Sequence, residues 1–536
     1  MIRRLIFMMI WLVPLVTCNA QGPLFDQSNL MTLPYEDLSD LLRRYPGMYP
    51  QDFGTLGTPI VFRPWNGQAW NLQTSRDGIP QNRRYDGFYD SNLQPGSELQ
   101  TIDYRFLSGD PAGRFNLTTR YLPLDSPYTE FQIREGYYGY GTVDFAHGQR
   151  AYRSLTVQVT GRLGWYNGLR DTTASRFNRL RGQIGFDIGD RWHSEVTYSG
   201  SKVEAEDIAL IKRNCLSERS EGIASLDLKD SIQASIRPSL KLFLRQDREK
   251  WSNGFRAWEQ TGGWIAGFTL HQFHQYLRLR HVGMIADMIF PGISKRRELS
   301  LDISLSDSIE TSLASFELFG GIKRESAWDG PTESDQVHLM RGGVEIATRP
   351  YWNLSLLAGV QYSEQAVPIL WRAGHYRIGD RPLYVDPLFT ANESVLVTGT
   401  TTAKSADRYL NSMLGIRWQR NSALIDLRSL VIHRPGDFEN RFEGEGSDIR
   451  MICDRRTGDD THVGAAVSSI IPLWYGLRID SWWFGQVASD DMSTVEDWRG
   501  YSRLYFERQF FQSHLTIRSH ISYEEIGRRQ GFSDRG

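Results

Sequence analysis

The sequence lacks the features by which several common classes of protein are recognised. Its 536 residues include only 3 cysteines, too few for a disulfide scaffold, and no CxxC pair that would indicate zinc. Lys and Arg number 61 against 63 Asp and Glu, so the basic excess typical of a nucleic-acid-binding protein is missing. Beyond the N-terminus no apolar run is long enough for a membrane-spanning helix. Catalytic motifs such as GxSxG and HExxH are also absent.

The chain is nonetheless rich in aromatic residues. Phe, Trp and Tyr make up 12% of the sequence, although the mean hydropathy is negative. A transmembrane β-barrel has this combination, because its lipid-facing and lumen-facing side chains alternate and cancel in any average. The composition therefore favours a barrel over an ordinary globular enzyme.

The start of the chain has the pattern of a secretory signal peptide. Arg3 and Arg4 form a basic start, residues 5–16 form an apolar stretch, and the small residues Cys18 and Ala20 precede the predicted cleavage site. The apolar stretch is shorter than the ~20 residues that a membrane-spanning helix needs. We therefore predict export to the cell envelope, and attachment through Cys18 as a lipoprotein is the second interpretation.

Beyond residue 113, apolar and polar residues alternate in several segments, most clearly in 155–165, 299–305 and 515–523. Strict alternation predicts strands with one apolar and one polar face, and ~9–11 residues is the length of a tilted membrane strand. One such strand is commoner in soluble sheets, but a long series of hairpins favours a membrane barrel. A soluble propeller is the main rival, and such folds usually show a repeat of ~40–50 residues that this sequence lacks.

The connections between these segments have two predicted lengths. Tight turns are predicted at 189–191, 237–239, 349–351, 419–421, 472–474 and 510–512, and long polar loops at 200–222, 247–262, 324–336 and 434–462. Aromatic residues gather beside the tight turns: Trp192, Tyr351, Trp352, Trp474, Tyr475, Phe510 and Phe511. Outer-membrane barrels have tight periplasmic turns, long external loops and aromatic girdles at both membrane interfaces.

Residues 35–112 do not alternate and have an organisation of their own. The spacing of Leu38, Leu41 and Leu42 predicts one face of a short helix that ends before Gly47. Turn signals follow at 77–80 and 94–97, and a strand is predicted over 99–106. This is a compact α/β unit of about 75 residues, large enough to fold and small enough to lie inside a larger structure.

The run over 35–54 resembles the start of the plug domain of TonB-dependent outer-membrane receptors, in which a short helix ending in Pro-Gly precedes a glycine-rich strand region. Residues 77–80, Asp-Gly-Ile-Pro, match the family's Asp-Gly-x-Pro turn, and residues 98–103 lie where the family has a late plug strand. Residues 126–129 and 134–136 resemble the first barrel strand. The plug signature consists of Leu41, Arg44, Pro46, Gly47, Gly54, Gly57, Asp77, Gly78 and Pro80.

The sequence departs from the family pattern at three places. Residues 71–76 are polar where family plugs have an apolar strand, and residues 63–67 replace the usual Arg-Gly. Residues 21–32 contain no clear TonB box, the extended segment that adds a strand to the energising protein. A plug-bearing barrel without energy coupling is therefore an open alternative.

The resemblance implies a fold dominated by β-structure: a large transmembrane antiparallel β-barrel of about 18–22 strands with an N-terminal α/β plug domain inside the lumen. The expected organisation is a signal peptide over 1–20, an extended segment over 21–34, the plug over 35–112 and the barrel over 113–536. Because the chain stops in a loop-like stretch after 521–526, we also expect the barrel to be truncated at its C-terminus.

The function implied by the resemblance is ligand binding and uptake across the outer membrane. The expected partners are the outer-membrane bilayer, the TonB energising complex and a small ligand, for which a siderophore, cobalamin, a glycan and a peptide are all open; no nucleic acid or cofactor is expected. Aromatic and arginine side chains suit large polar or anionic ligands. The ligand-facing candidates are Trp65, Trp70, Arg76, Arg83, Arg84, Tyr85 and Tyr89. The competing interpretation is that these residues only line the contact between plug and barrel.

Two other functions fit parts of the sequence: a passive porin-like or structural barrel with a vestigial plug, and a secreted β-rich carbohydrate-active protein. No catalytic residue, cofactor site or metal site is predicted, and the chain is not expected to be an enzyme. His271 and His274 form an HxxH pair, but strand spacing places them on opposite faces. The acidic stretch around Cys453 and Asp454 is more simply a solvated loop.

Overall fold

A computed structural model gives the fold of the chain. The residues it describes are 38–42, 45, 47–51, 61–64, 71–82, 89, 91, 94–120, 122, 126–136, 139–152, 154–168, 174–189, 192–205, 214–228, 239–252, 257–271, 275–282, 296–311, 313–329, 332–348, 350–366, 375–376, 396–398, 406–435, 438–443, 450–455, 459–487, 498–510 and 515–527. The predicted signal peptide and the extended segment over 21–34 lie outside these ranges. Within them, no helix has the length and apolar character needed to cross a membrane.

The N-terminal part of the chain folds into short elements that pack as one unit, the plug. These elements are α1 (Leu38–Leu42), β1 (Met48–Gln51), β2 (Val61–Pro64), β3 (Gln73–Arg76), β4 (Ile79–Pro80), a 3₁₀ turn (Gly96–Glu98), β5 (Leu99–Arg105) and β6 (Arg114–Thr119). β1 pairs with β2, and the other strands form a sheet in the order β4-β3-β6-β5, in which β3 and β6 run parallel.

The leucine face of α1 forms the centre of the plug core. All three leucines of the helix are completely buried, which confirms the predicted helix face. Just after the helix, the Tyr45 hydroxyl donates a hydrogen bond to the Ile102 carbonyl oxygen at 2.7 Å, and its ring meets Phe115 edge-on at 4.9 Å. These contacts attach the helix region to β5 and β6.

The predicted turn at 77–80 joins β3 to β4. Asp77 and Gly78 have φ values of 50° and 83°, which suits the left-handed conformation that a two-residue Asp-Gly hairpin turn requires. The Oδ1 atom of Asp77 accepts a hydrogen bond from the Thr119 backbone N–H at 2.9 Å, which ties the turn to β6. Because β6 lies between β3 and β5, the plug sheet extends past the predicted boundary at residue 112.

The rest of the described chain is almost entirely strand. The strands are β7 (Tyr128–Glu135), β8 (Gly141–Tyr152), β9 (Leu155–Tyr166), β10 (Ser175–Ile188), β11 (Trp192–Ala205), β12 (Asn214–Leu228), β13 (Ser239–Ser252), β14 (Ala257–His271), β15 (Gln275–Val282), β16 (Arg296–Glu310), β17 (Ala314–Asp329), β18 (Thr332–Thr348), β19 (Leu354–Ala366), β20 (His375–Tyr376), β21 (Leu396–Thr398), β22 (Ala406–Arg420), β23 (Ala423–Pro435), β24 (Phe438–Glu443), β25 (Arg450–Arg455), β26 (Asp459–Pro472), β27 (Leu477–Val487), β28 (Trp498–Phe510) and β29 (Leu515–Ile526).

Two antiparallel meanders of these strands form the barrel wall. β7 to β14 make an eight-stranded sheet, and β15 to β19, β22, β23 and β26 to β29 make an eleven-stranded sheet, with β14 and β15 side by side. Together they fall within the predicted range of strand number, and β7 is the predicted first barrel strand. β20, β21, β24 and β25 form a separate small sheet within the two connections that join β19 to β22 and β23 to β26.

The wall is polar inside and apolar outside, the reverse of a soluble protein. On β9, Gln158 and Arg162 are each only 4% exposed, whereas Leu163 and Trp165 on the opposite face are 53% and 43% exposed. The predicted alternation over 155–165 is therefore confirmed, and its apolar face points away from the lumen. Lipid is the surrounding that an exposed band of Leu, Ile, Val and aromatic side chains fits.

The predicted tight turns lie at one end of the strands, which we name the short-turn rim. The chain reverses direction at five of the six predicted tight turns; the sixth, at 237–239, adjoins residues outside the description, and Ser239 opens β13. The long polar loops predicted at 247–262 and 324–336 are wrong, because every described residue of both stretches belongs to β13, β14, β17 or β18. These strands exceed the ~9–11 residues that cross a membrane, so their polar ends extend beyond it.

The plug lies in the lumen, between the two sheets of the wall. Its residue Arg76 pairs with Glu221 on β12 of the eight-stranded sheet, and its residue Asn71 bonds Tyr409 on β22 of the eleven-stranded sheet at 2.6 Å. Both contacts are buried. The structure therefore confirms the predicted architecture, a β-barrel wall around an N-terminal α/β plug.

An arginine on the outer face tests this orientation of the wall. Leu180, midway along β10, is 55% exposed on the predicted lipid face. We expect Leu180→Arg to lower the free energy of unfolding by about 2–4 kcal/mol in lipid, because a charge near the membrane midplane loses its hydration. Tyr152→Arg, at the short-turn rim, is the control and should cost about 0–1 kcal/mol. Urea unfolding in liposomes measures both, and equal costs would contradict a lipid-facing Leu180.

Candidate functional site

The contact between plug and wall is the candidate site, and its first part is a chain of buried charges. We name it the ionic sector: Arg76, Gln81, Asn82, Gln94 and Glu98 of the plug against β9 to β13. Arg76 forms an ion pair with Glu221 in which both side chains are at most 2% exposed. Gln81 donates from Nε2 to Glu221 Oε1 at 3.2 Å and accepts from Arg219 Nη1 at 3.1 Å. The β3–β4 turn is therefore attached to β12 through charged and amide groups.

A second buried carboxylate continues the ionic sector. Arg179 on β10 donates from Nε to Glu98 Oε2 at 2.8 Å. Gln94 joins the two ion pairs, since its Nε2 donates to Glu98 at 3.1 Å and its Oε1 accepts from Arg76 at 2.6 Å. Burial alone would raise the pKa of Glu98, but the positive charges of Arg179, Arg181 and Arg76 outweigh it and hold this pKa below its ordinary value. Glu98 is therefore ionised at neutral pH.

Arginines of the wall also bind the backbone of the plug. Arg219 Nη2 donates to the Gln81 carbonyl oxygen at 3.0 Å, and Arg245 Nη2 donates to the Asn82 carbonyl oxygen at 2.8 Å. Each guanidinium has several donors in a fixed plane and can therefore bind a carbonyl and an acid together. Removing one partner of a buried ion pair such as Arg76–Glu221 typically costs about 3–5 kcal/mol.

The second part of the site is the 106–113 loop, the segment between β5 and β6. Gln361 on β19 accepts from the Gly109 backbone N–H at 2.9 Å and donates to the Asp110 carbonyl oxygen at 2.7 Å. Asn411 on β22 donates to the Pro111 carbonyl oxygen at 2.6 Å. These are neutral hydrogen bonds, which contribute about 0.5–1.5 kcal/mol each.

The 106–113 loop also contacts the wall through apolar packing. Leu107 lies against Gly359, where a Cβ atom would come within 2.2 Å of its side chain, so only glycine leaves room there. Around it, the loop packs on an apolar patch of the inner wall formed by Leu357, Tyr409, Met413, Leu430, Ile432, Ala466, Trp482 and Phe484. Loop and wall thus fit together as one cluster of buried side chains.

The third part of the site is open to water. Arg105, at the end of β5, pairs with Glu317 on β17 at 3.0 Å, and the two side chains are 41% and 40% exposed. Asp103 lies beside Arg105 at 3.6 Å and is also partly exposed. Exposed ion pairs of this kind contribute about 0–1 kcal/mol. The plug is therefore bound unevenly: strongly to β9–β13 and weakly to β17.

The structure describes part of the predicted plug signature. Leu41 lies in the plug core, Gly47 has a φ of 75°, and Asp77, Gly78 and Pro80 form the β3–β4 hairpin. The remaining signature positions lie outside the described residues: Arg44, Pro46, Gly54 and Gly57.

Two of the ligand-facing candidates are described, and both are buried. Arg76 is in the ionic sector, where Glu221 satisfies its charge, and Tyr89 belongs to the plug core. Arg76 thus contacts the wall, whereas Tyr89 packs inside the plug itself, and a ligand-binding role for either stays a prediction. The other candidates lie outside the described residues and stay predictions: Trp65, Trp70, Arg83, Arg84 and Tyr85.

Sequence reasoning missed the residues of the wall that bind the plug. Glu221 lies in a stretch interpreted as a loop, and Gln361 and Asn411 are single polar residues on otherwise ordinary strands. The alternation of side chains along a strand could have found them, because each of these residues lies on the lumen-facing side of its strand. Within the described ranges, no group of His, Cys, Asp and Glu side chains is arranged to hold a metal ion.

Solved structures with the same arrangement are outer-membrane receptors. The siderophore receptor PirA from Acinetobacter baumannii matches with a TM-score of 0.65 at 12% identity, over 94% of this chain and 87% of that one. A variant of the ferric enterobactin receptor PfeA from Pseudomonas aeruginosa, in complex with enterobactin, matches with a TM-score of 0.61 at 12% identity. The match covers 93% of this chain and 86% of that one. The copper transporter OprC matches with a TM-score of 0.66 at 11% identity, over 89% of this chain and 81% of that one.

The chain has the plug-and-barrel fold of TonB-dependent receptors. At these identities the likeness is one of fold, and it covers both plug and wall. No family model matches the sequence, and no curated protein matches it either. The neighbours are transport receptors and not enzymes.

The uneven attachment of the plug can be measured with two matched substitutions. Glu221→Gln leaves Arg76 buried without its charge partner, and we expect it to weaken plug docking by about 3–5 kcal/mol. Glu317→Gln removes the exposed ion pair with Arg105 and should cost at most about 1 kcal/mol. Both replace one wall carboxylate that binds one plug arginine. The measurement is the urea concentration at which trypsin cleaves the plug, and equal shifts would contradict the account.

Proposed function

We propose that this protein is an outer-membrane receptor that binds a metal complex outside the cell and takes it up through the barrel. The observation that carries the proposal is the plug attached inside a polar lumen by buried ion pairs and hydrogen bonds to both sheets. A plug in this position closes the lumen to passive diffusion. Uptake then requires that the plug moves.

The plug is built to receive a pull from the periplasm. In barrels of this kind the short turns face the periplasm, and residues 21–34 end three residues before α1 begins. The leucines of α1 lie in the plug core, and Tyr45 fastens this region to β5. We propose that the TonB complex binds residues 21–34 and pulls, since the outer membrane has no energy source of its own.

The ligand class follows from the structural neighbours. Two of them are receptors for siderophores, one of these for ferric enterobactin, and the third is a copper transporter, so we propose a metal ion or a metal chelate as cargo. Its binding residues would be the ligand-facing candidates predicted from the sequence: Trp65, Trp70, Arg83, Arg84 and Tyr85. Aromatic and arginine side chains suit the planar, anionic groups with which chelators bind metals.

The passive alternative remains as the second candidate function. It is favoured by residues 21–32, which contain no clear TonB box. The third candidate, a secreted carbohydrate-active protein, fits poorly with the exposed apolar residues on the outer face of β9 and β10, which include Leu163 and Trp165 on β9 and Leu180, Ile184, Phe186 and Ile188 on β10. Such a surface would cause a secreted protein to aggregate.

Uptake measurements separate the candidates. The protein is expressed in cells that lack their own enterobactin receptors, and the probes are ⁵⁵Fe bound to enterobactin and, separately, copper ions. We expect uptake of one probe to appear with the protein, and to be lost when residues 21–34 are deleted or when the cells lack TonB. The energy for plug movement is then absent, while the barrel is unchanged.

Heat-modifiable gel mobility in the outer-membrane fraction is the control that every variant has folded and inserted. Uptake that persists without residues 21–34 and without TonB would establish the passive alternative. No uptake of either probe by the intact, inserted protein would refute the proposed metal cargo.

A further inference from the structure

An arginine on the outer face of the wall lies at the edge of the apolar surface. Arg508, near the end of β28, is exposed and shares a strand face with Leu504, which is 40% exposed on the lipid side. It lies opposite Ile517 in the register of β28 and β29, and Ile517 is 42% exposed. Both residues are close to the turn that joins these strands at the short-turn rim. Arg508 therefore carries a positive charge at the boundary between lipid and water.

Two aromatic rings hold the Arg508 side chain. Its guanidinium carbon lies 5.7 Å from the centre of the Tyr475 ring and 5.3 Å from the centre of the Phe510 ring, distances at which a cation is attracted to a ring face. Tyr475 lies in the turn between β26 and β27, whereas Phe510 is the last residue of β28. The position of the guanidinium is therefore set by aromatic residues at two turns of the short-turn rim.

The turn that carries Tyr475 is fixed against β28. Tyr475 and Gly476 have φ values of 56° and 84°, and the Gly476 carbonyl oxygen accepts a hydrogen bond from the Glu507 backbone N–H at 2.9 Å. A Cβ atom on Gly476 would overlap the Glu507 carbonyl oxygen, so glycine is required there. The backbone thus places the Tyr475 ring beside Arg508, and such preorganisation lowers the cost of binding a ligand.

Among the residues that the structure describes, no carboxylate forms an ion pair with Arg508. Glu507, its neighbour in sequence, lies on the lumen side of the strand, where it accepts a hydrogen bond from the Tyr505 hydroxyl at 2.7 Å. A lumen-facing arginine at the same rim is paired: Arg478 lies 2.8 Å from Asp480. The charge of Arg508 is therefore not compensated by the described part of the chain.

We propose that Arg508, Tyr475 and Phe510 form a binding site for the phosphate group of a phospholipid in the leaflet on the short-turn side. A guanidinium presents planar N–H donors that bind phosphate in pairs. Leu504 and Ile517 continue the site as an apolar surface for the acyl chains. Inorganic phosphate offers the same charged group, but it has no acyl chains for this surface. The site lies outside the lumen, so the inference goes beyond the proposed transport function and does not depend on it.

Lipid binding to the full chain in a non-ionic detergent tests the proposal. The probes are dioleoylphosphatidylglycerol, dioleoylglycerol, which lacks the phosphate, and inorganic phosphate. Arg508→Gln removes the charge, and Phe510→Leu removes one ring but keeps an apolar side chain. Arg420→Gln is the matched control, because Arg420 ends β22 at the same rim, is exposed and shares the outer strand face of Ile416. Within the described residues, Arg420 contacts no aromatic ring.

Native mass spectrometry gives the dissociation constant of the first lipid bound, and heat-modifiable gel mobility shows that each variant is folded. We expect Arg508→Gln to weaken binding of dioleoylphosphatidylglycerol about ten-fold, because charge-assisted hydrogen bonds are lost. Phe510→Leu should weaken it about three-fold, and Arg420→Gln less than about two-fold. Dioleoylglycerol should bind about ten-fold more weakly than dioleoylphosphatidylglycerol.

Three results would overturn the proposal. Equal losses in Arg508→Gln and Arg420→Gln would show that the lipid is attracted by charge at the rim in general. Equal binding of dioleoylglycerol and dioleoylphosphatidylglycerol would show that the phosphate is not recognised. Displacement of the lipid by millimolar inorganic phosphate would identify free phosphate, and not a lipid, as the ligand.

Discussion

The fold depends on one constraint: a wall surrounded by lipid must put its polar residues inside, and the charges there need partners. The plug supplies them. Arg76 compensates Glu221, Glu98 compensates Arg179, and Arg105 compensates Glu317. Removing one partner of a buried ion pair typically costs about 3–5 kcal/mol, so the two buried pairs favour a plug inside the lumen.

The pairs differ in burial, so the plug is attached more strongly on one side of the lumen than on the other. The buried pairs of the ionic sector hold it to β9–β13, where water is excluded and charge interactions are strong. The exposed pair on β17 is screened by water. Between these two sides, the 106–113 loop is attached by amide groups, by apolar packing and by Asp110 next to Arg341. The water-exposed contact with β17 is therefore the weakest of the three.

Much of the architecture is predictable from local patterns. The leucine spacing of α1, the Asp77-Gly78 turn and the alternation in β9 are properties of neighbouring residues, and all three are confirmed. The long polar loops were wrong because polarity marks both loops and strands that extend beyond the membrane, as in 324–336. The partners Arg76 and Glu221 are 145 residues apart in sequence, and no local pattern connects them.

The central claim is that a plug held by paired charges closes the lumen. Its most direct test is the conductance of the intact protein in planar lipid bilayers, compared with a variant that lacks residues 35–120. The account predicts no steady conductance for the intact protein and large, stable channels for the variant, since the wall then encloses only water. Steady channels of the same size in both proteins would contradict it.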